Sequence, residues 1–333
     1  MFRSRRRAIG IALLMILPLI LAACSTTGGK KAAQGGSSVA AGHANTAHYT
    51  VAMITHQAPG DTFWDIIRKG GVAAAAKDNI TLKYSADPDA TKQAALITDA
   101  INSHVDGIAV TDPNPAALCP TIQKAVQAGI PVVMFNAGVG NWQQCGGMEY
   151  FGQDESIAGL AAGKRLAAAN AKHVLCVLQE QGQVQLEARC AGVQKGLGSA
   201  TMTKLYVNGR DQSAVLSSLT AKLTQDKTID SVITLGSPEA LTAVQAIPAA
   251  HSTAKLYTFD TNAAEIAKIK SGAVQWAVDQ QPFLQGYESV DSLWLYLTNA
   301  NVIGGGQTVL TGPAFIDASN VAKVAQYAAV GNR

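Results

Sequence analysis

Charged and aromatic side chains are both scarce in this 333-residue chain: 15% of residues are Asp, Glu, Lys or Arg and 6% are Phe, Tyr or Trp, against 48% apolar. That balance excludes a disordered chain and supplies a sizeable core. The formal charge of +3 comes from Arg3, Arg5, Arg6 and Arg7; beyond residue 23 there are 22 basic and 23 acidic residues. No affinity for nucleic acid or an anionic membrane surface follows from such a balance, and no helix-turn-helix headpiece precedes the body. Metal motifs are absent too. The six histidines are scattered without HExxH, and no cysteine pair has CxxC spacing. A dinucleotide-binding oxidoreductase needs GxGxxG after its first strand, where this chain reads His56-Gln57-Ala58-Pro59-Gly60-Asp61. GxSxG is missing, and Gly304-Gly305-Gly306 reads as a turn because no Lys-Ser or Lys-Thr follows. No resident cofactor is expected. A glycosidase would have to draw its two carboxyls from Asp112, Asp260 and Asp279, but reversible binding explains the same residues more simply.

What is present begins at the N-terminus. Four arginines precede an apolar run from Ala8 to Leu21, which ends in Leu21-Ala22-Ala23-Cys24. This is the order of an export signal, and the run is too short to span a hydrocarbon layer of ~30 Å comfortably. Leu-Ala-Ala-Cys resembles a bacterial lipobox, which implies removal of residues 1–23, lipidation of Cys24 and an extracytoplasmic, membrane-anchored protein. An ordinary signal peptide or an uncleaved anchor is the alternative. Residues 24–48, rich in Ser, Thr, Gly, Lys and Ala, have little to bury and read as a flexible tether. Four cysteines then remain for an oxidising compartment, with three possible connectivities. Cys119 with Cys145 and Cys176 with Cys190 keeps each pair within one lobe and closes short loops, and buried free thiols are the competing reading.

A length above the ~250 to 300 residues at which single cores stop growing points to two lobes. From Tyr49 the chain alternates short, continuously apolar runs with longer Ala-rich stretches of helical period. The first series of runs starts at Tyr49, Ile80, Asp106 and Pro131; the second starts at Lys172, Thr203, Ser231, Lys255 and Val274. Between them, Ala94, Ile97, Ile101 and Val105 recur at steps of three or four, one buried helical stripe. Such an order implies an α/β protein with two doubly wound parallel-sheet lobes.

In open α/β sheets the ligand crevice lies beyond the carboxyl ends of the strands. The residues there are Gln57, Asp61, Phe63 and Trp64 after the first run, Asp112 after the third and Asn136 after the fourth. In the second series come Gln181, Ser237, Asp260 and Gln280. Amides, carboxylates and flat rings suit a sugar or polyol, whose hydroxyls donate and accept while its C–H faces pack on aromatic rings.

Several short motifs in the same order resemble the sugar-binding proteins of the ribose-binding type that feed ABC importers, over roughly residues 49–320. Asp61-Thr62-Phe63-Trp64 resembles that family's Asn-Pro-Phe-Phe loop, Gly129 to Asn136 its strand ending in a ligand-binding Asp, and Glu187-Ala188-Arg189 its Arg-containing helix start. Phe259-Asp260 matches its strand-end Phe-Asp, and Asp279-Gln280-Gln281-Pro282 with Gln285-Gly286-Tyr287 resembles its last hinge strand and the helix after it. The resemblance implies a three-strand hinge, with crossings near Tyr150 to Gln153, near Gln280 and near Thr311 to Ala314. It divides the body into residues 49–151 with 281–311 and residues 152–280 with 312–333. It also implies a monomer that is not an enzyme and that hands its ligand to ABC permease subunits. Ala137 stands where ribose binders carry an arginine, and Gly236 or Ser237 where they carry an Asn, so ribose itself is not implied; Phe-Asn-Ala-Gly followed by Trp142 is similar to another branch of simple-sugar and polyol binders.

Each site residue also has a structural reading. Phe63 and Trp64 can pack the first helix, Trp142 can cap a loop, Arg189 can pair with Glu187 or Asp211, and Asp260 can cap the next helix. Asp154 is expected as an N-cap with Glu155 favoured by the helix dipole, outside the site. A ligand-sensing module for a membrane receptor or histidine kinase is the alternative to transport.

Overall fold

The apolar runs are strands because helices cover both of their faces. In the computed structural model, which describes residues 44–333, β1 (Tyr49–Thr55), β3 (Gly107–Val110) and β4 (Val132–Phe135) are buried nearly throughout. With β2 (Ile80–Ala86), β5 (Glu149–Gly152) and the short β11 (Val309–Leu310) they form a parallel sheet of order β11-β5-β4-β3-β1-β2. Alternate side chains feed opposite faces: Val51 and Met53 enter one core cluster, Ala52 and Ile54 the other. The helices on this sheet are α1 (Phe63–Lys77), α2 (Ala90–Asn102), α3 (Pro115–Gln127) and α9 (Pro282–Asn299).

The second sheet has the order β12-β10-β9-β8-β6-β7. Its strands are β6 (His173–Leu178), β7 (Thr201–Tyr206), β8 (Ser231–Thr234), β9 (Lys255–Phe259), β10 (Trp276–Asp279) and β12 (Ala314–Asp317). Its helices are α4 (Glu155–Ala168), α5 (Val184–Gly196), α6 (Gln212–Gln225), α7 (Ser237–Ala249), α8 (Ala263–Ser271) and α10 (Val321–Ala329). The sequence pattern led us to expect parallel pairing throughout, but β12 runs antiparallel to β10. It enters directly from β11 of the other sheet, without the crossover helix that a parallel neighbour requires.

The chain passes between the sheets after β5, after β10 and after β11. These passages bond to one another: Thr311 N donates to Gly152 O at 2.8 Å, Thr311 Oγ1 to Gln280 O at 2.7 Å, and Gln281 Nε2 to Thr311 O at 2.7 Å. The expected signal segment, Cys24 and the expected tether as far as residue 43 lie outside the described residues. The last part of the expected tether is packed rather than loose: Trp294 Nε1 donates to Thr46 Oγ1 and Asn79 Nδ2 to Thr46 O.

Two helix pairs approach closely enough to require glycine. A Cβ on Gly159 or Gly163 of α4 would lie 2.3 or 2.2 Å from the backbone oxygens of Arg189 and Val193 in α5. In the first lobe a Cβ on Gly286 of α9 would lie 1.9 Å from Ile67 O of α1. The first contact sets α5 directly above the start of α4. Cys176 of β6 is bonded to Cys190 of α5, which fixes the same helix to its sheet, and Cys119 of α3 is bonded to Cys145. Among the described residues no helix is long and apolar enough to cross a membrane.

Candidate ligand-binding site

The strand ends of the two sheets face each other across a cavity of about 190 Å³. That is smaller than the ~300 to 1000 Å³ of drug-sized sites, so it suits a single small ring. The first lobe contributes the loop after β1 and the end of β4. Asp61 Oδ1 accepts from Phe63 N at 3.1 Å, which turns the chain into α1 and brings Phe63 and Trp64 to the cavity. Their rings meet edge to face at 5.3 Å, and Trp64 meets His56 in the same way at 4.5 Å. Both rings also belong to the core cluster beneath, so packing and lining are one role here.

Asn136, at the end of β4, and Asp260, at the end of β9, both have positive φ, 63° and 65°. Asn and Asp tolerate this left-handed conformation better than other non-glycine residues, which explains their place at the strand ends. Asn136 Nδ2 donates to Gln280 Oε1 at 3.2 Å and Gln285 Oε1 at 3.1 Å, and Gln280 Nε2 donates to Asp260 Oδ1 at 2.6 Å. A network of side-chain amides therefore crosses the second passage between the lobes.

Arg189 is the centre of the other wall and is 3% exposed. Its Nε and Nη2 clasp the two Glu155 oxygens at 2.6 and 3.0 Å, while Nη1 donates to Leu235 O at 2.8 Å and Asp260 Oδ2 at 3.4 Å. Of the five N–H groups of a guanidinium, one on Nη2 is left for a ligand. The pairing differs from the expected partners: Glu187 binds Lys204 instead, and Asp211 caps α6 by accepting from Ala214 N. Glu155 is thus no mere helix-start charge but the buried counter-ion of Arg189, while Asp154 caps α4 as expected. Asp260 does not cap α8; Asn262 does, accepting from Glu265 N.

Burial also weighs on the other acids of the cleft: among the described residues Asp61 and Glu239 have no cation beside them, Asp260 shares Arg189, and Glu180 pairs with Arg210. Burial pushes the Asp61 carboxyl up to about 6, against bonds from Phe63 N and the Trp64 side chain. Burial likewise raises Glu239, which accepts from Gln212 Nε2 at 3.1 Å, to about 7. Asp260 is raised to about 7 against the pull of Arg189 and Gln280. His56 is held neutral, its pKa lowered to about 3 by burial and the nearby Arg189 charge. The cleft therefore offers hydrogen bonds with little net charge. Gln179 Oε1, Gln185 Oε1 and Ser237 Oγ are buried there without a partner.

The structure brings Asp61, Phe63, Trp64, Asn136, Arg189, Ser237, Asp260 and Gln280 to this cavity, and keeps four expected residues away. Gln57 turns back to brace the loop, donating to Asp61 O and accepting from Tyr84 OH. Asp112 is wholly buried beside Cys145 Sγ, 3.7 Å away, and burial raises it to about 7. Trp142 lies under the sheet with Met134 and Cys145, because the disulfide to α3 draws its loop downward. Gln181 sits exposed at a loop tip before Gly182. Sequence reasoning left out Gln183, Gln185, Gln212 and Glu239, which stand at or in the first turns of helices rather than directly after strands. The alternation Gln179, Gln181, Gln183, Gln185 was the available signal: three of the four line the cavity. Among the described residues no three His, Cys, Asp or Glu side chains cluster to hold a metal ion.

Two α/β lobes, three connecting passages and a polar cavity between strand ends define a two-lobed solute-binding protein. The periplasmic binding protein domain matches residues 51–301, and the chain belongs to that family. It is similar to a carbohydrate transporter from Acidothermus cellulolyticus 11B, solved in complex with myo-inositol: 62% identity, TM-score 0.85, covering 86% of this chain and 100% of that one. A solute-binding protein of an ABC transporter from Burkholderia graminis, in complex with D-arabinose, shares the fold at 22% identity and TM-score 0.73, over 82% of this chain and 96% of that one. The xylose/arabinose-binding protein of Sulfolobus acidocaldarius is 23% identical over 249 residues, 70% of this chain, and the chain spans 62% of that relative's length.

Proposed function

We propose that the protein captures one small uncharged polyol or sugar between its lobes and delivers it, unaltered, to an ABC permease. The observation that carries this reading is the cavity itself. Aromatic rings on one wall face a second wall of unpartnered amide and hydroxyl groups, and the one central guanidinium is already neutralised by Glu155 and Asp260. Such a wall pairs with hydroxyls and has no free cation for a phosphate or carboxylate. The 62% identity to a transporter solved with myo-inositol supports a cyclic polyol as the first ligand to test.

The chemistry is binding alone. In this reading Arg189, with four of its five N–H groups committed to protein partners, offers the remaining one to a ligand hydroxyl, and His56 is neutral with both ring nitrogens engaged. In this reading residues 49–151 with 281–311 and residues 152–280 with 312–333 are the two bodies that close, and the passages at Gln153, Gln280 and Thr311 bend between them. Export, cleavage before Cys24 and lipidation there would hold the monomer at the outer face of a membrane, beside the permease.

A thermal-shift screen over sugars and polyols tests the proposal. A ligand at a hundred times its Kd stabilises by about 2.7 kcal/mol. At roughly 2 to 4 °C per kcal/mol for a body of this size, the midpoint rises by about 5 to 11 °C. Myo-inositol should give such a shift. Silence across the whole panel would overturn the reading.

A further inference from the structure

Beside the Asn136–Gln280–Asp260 network and the rim bonds of Val184 N to Pro113 O and Asn262 Nδ2 to Thr62 Oγ1, one further side chain joins the two walls of the cavity. Gln185, in the first turn of α5 and 6% exposed, donates from its amide nitrogen to Gln183 Oε1 at 2.7 Å and, across the cleft, to His56 Nε2 at 3.1 Å. His56 belongs to the opposite wall, just after β1. Its Nδ1 lies 2.7 Å from Thr111 Oγ1 and its ring packs edge-on against Trp64. With Nε2 accepting from Gln185, the ring carries its proton on Nδ1 and donates it to Thr111. Burial and the Arg189 charge keep the ring neutral, so the Nε2 lone pair remains available.

In this arrangement both amide hydrogens of Gln185 are committed. Its Oε1 is left buried, without a partner, in the cavity lining. Closing the cleft over nothing strands that acceptor away from water, whereas a ligand hydroxyl satisfies it. The same ligand bond fixes the amide in the orientation that reaches His56.

We infer that Gln185 couples occupancy to closure: it reads a ligand hydroxyl through Oε1 and locks the opposite lobe through its bond to His56. The inference rests on the proposed polyol site. It makes the bridge part of the affinity, and it makes one hydroxyl of the ligand indispensable.

Calorimetric titration of the full chain with myo-inositol tests it, using wild type, Gln185→Ala, His56→Phe and the double variant. The phenyl ring keeps the packing against Trp64 and removes Nε2. Each single change should raise Kd about tenfold, the effect of losing one or two buried hydrogen bonds. The double variant should bind within about twofold of the weaker single, because the two residues act as one unit. Independent, multiplying effects, or single variants within about twofold of wild type, overturn the inference.

A monodeoxy-inositol series supplies a second measurement that does not depend on the His56 variant folding. One analogue should bind wild type at least about tenfold more weakly than myo-inositol does and yet lose nothing further with Gln185→Ala. If every analogue weakens equally in both proteins, Gln185 reads no hydroxyl and the inference fails. A wild type that binds no sugar or polyol overturns the proposed function, and this inference with it; that outcome is distinct from variants that bind as wild type does.

Discussion

Replacing Arg189 with alanine should damage the empty protein as well as the binding site. From sequence alone, Arg189→Ala is expected to abolish the ligand response while leaving the unliganded melting temperature nearly intact, since the arginine is read as a ligand contact with an incidental ion pair. The structure reverses that expectation. Glu155 is 2% and Asp260 7% exposed, and Arg189 is the cation bonded to both. Removing it leaves a buried carboxylate without a counter-ion, which costs about 3 to 5 kcal/mol. At roughly 2 to 4 °C per kcal/mol, the midpoint of the unliganded protein falls by about 6 to 20 °C. Circular dichroism melts without ligand measure this directly. Adding Glu155→Gln to Arg189→Ala should recover part of the loss, because the amide has no charge to strand. A midpoint for Arg189→Ala within about 1 °C of wild type would refute the reasoning, and would mean that the pair contributes nothing to holding α4 against α5.

Other outcomes follow from the same geometry. Asp112, Glu239 and Glu265 are buried without a paired cation and are raised to about 7, 7 and 8, above their unfolded values near 4. Acids raised in the folded state keep protons that the unfolded chain releases, so their contribution is complete below about pH 4 and is lost as pH rises through 7 to 8. Urea midpoints should therefore fall from pH 5 to pH 8; a flat or rising series contradicts the assignment. Gly192→Ala puts a methyl 2.8 Å from the Gly159 and Leu160 backbone and should cost about 1 to 3 kcal/mol in chemical denaturation, with an unchanged value marking a looser helix contact. Cys176→Ser with Cys190→Ser removes a cross-link between residues 14 apart and should cost roughly 3 kcal/mol, read as a lowered midpoint under oxidising conditions and a smaller further shift on reduction, which then opens Cys119–Cys145 alone.

The architecture was largely legible because short apolar runs, left by parallel strands buried on both faces, alternate regularly with longer stretches of helical period. The position of β12 was legible as a passage between lobes but its direction was not, since four residues at a sheet edge look alike either way. The site was legible to the extent that strand ends define it. Asp61, Trp64, Asn136 and Asp260 were found by that rule and lie in the cavity. Asp112 obeys the same rule and is buried against the Cys119–Cys145 disulfide, while Trp142, expected from the family resemblance, is drawn under the sheet beside that disulfide. Proximity to a strand end gives position, while orientation depends on tertiary contacts that local pattern does not encode. Gln185 and Glu239 illustrate the complement: each faces the cleft from the first turn of a helix, where a polar residue ordinarily means exposure.

The central claim is reversible enclosure of an uncharged, hydroxyl-rich ligand. Calorimetry with myo-inositol, followed by nuclear magnetic resonance of the ligand recovered from the denatured complex, tests it most directly. The account predicts a saturable isotherm with one ligand per chain and a recovered compound identical to the one added. No heat of binding from myo-inositol or any related polyol or sugar, or recovery of a chemically changed product, would contradict it.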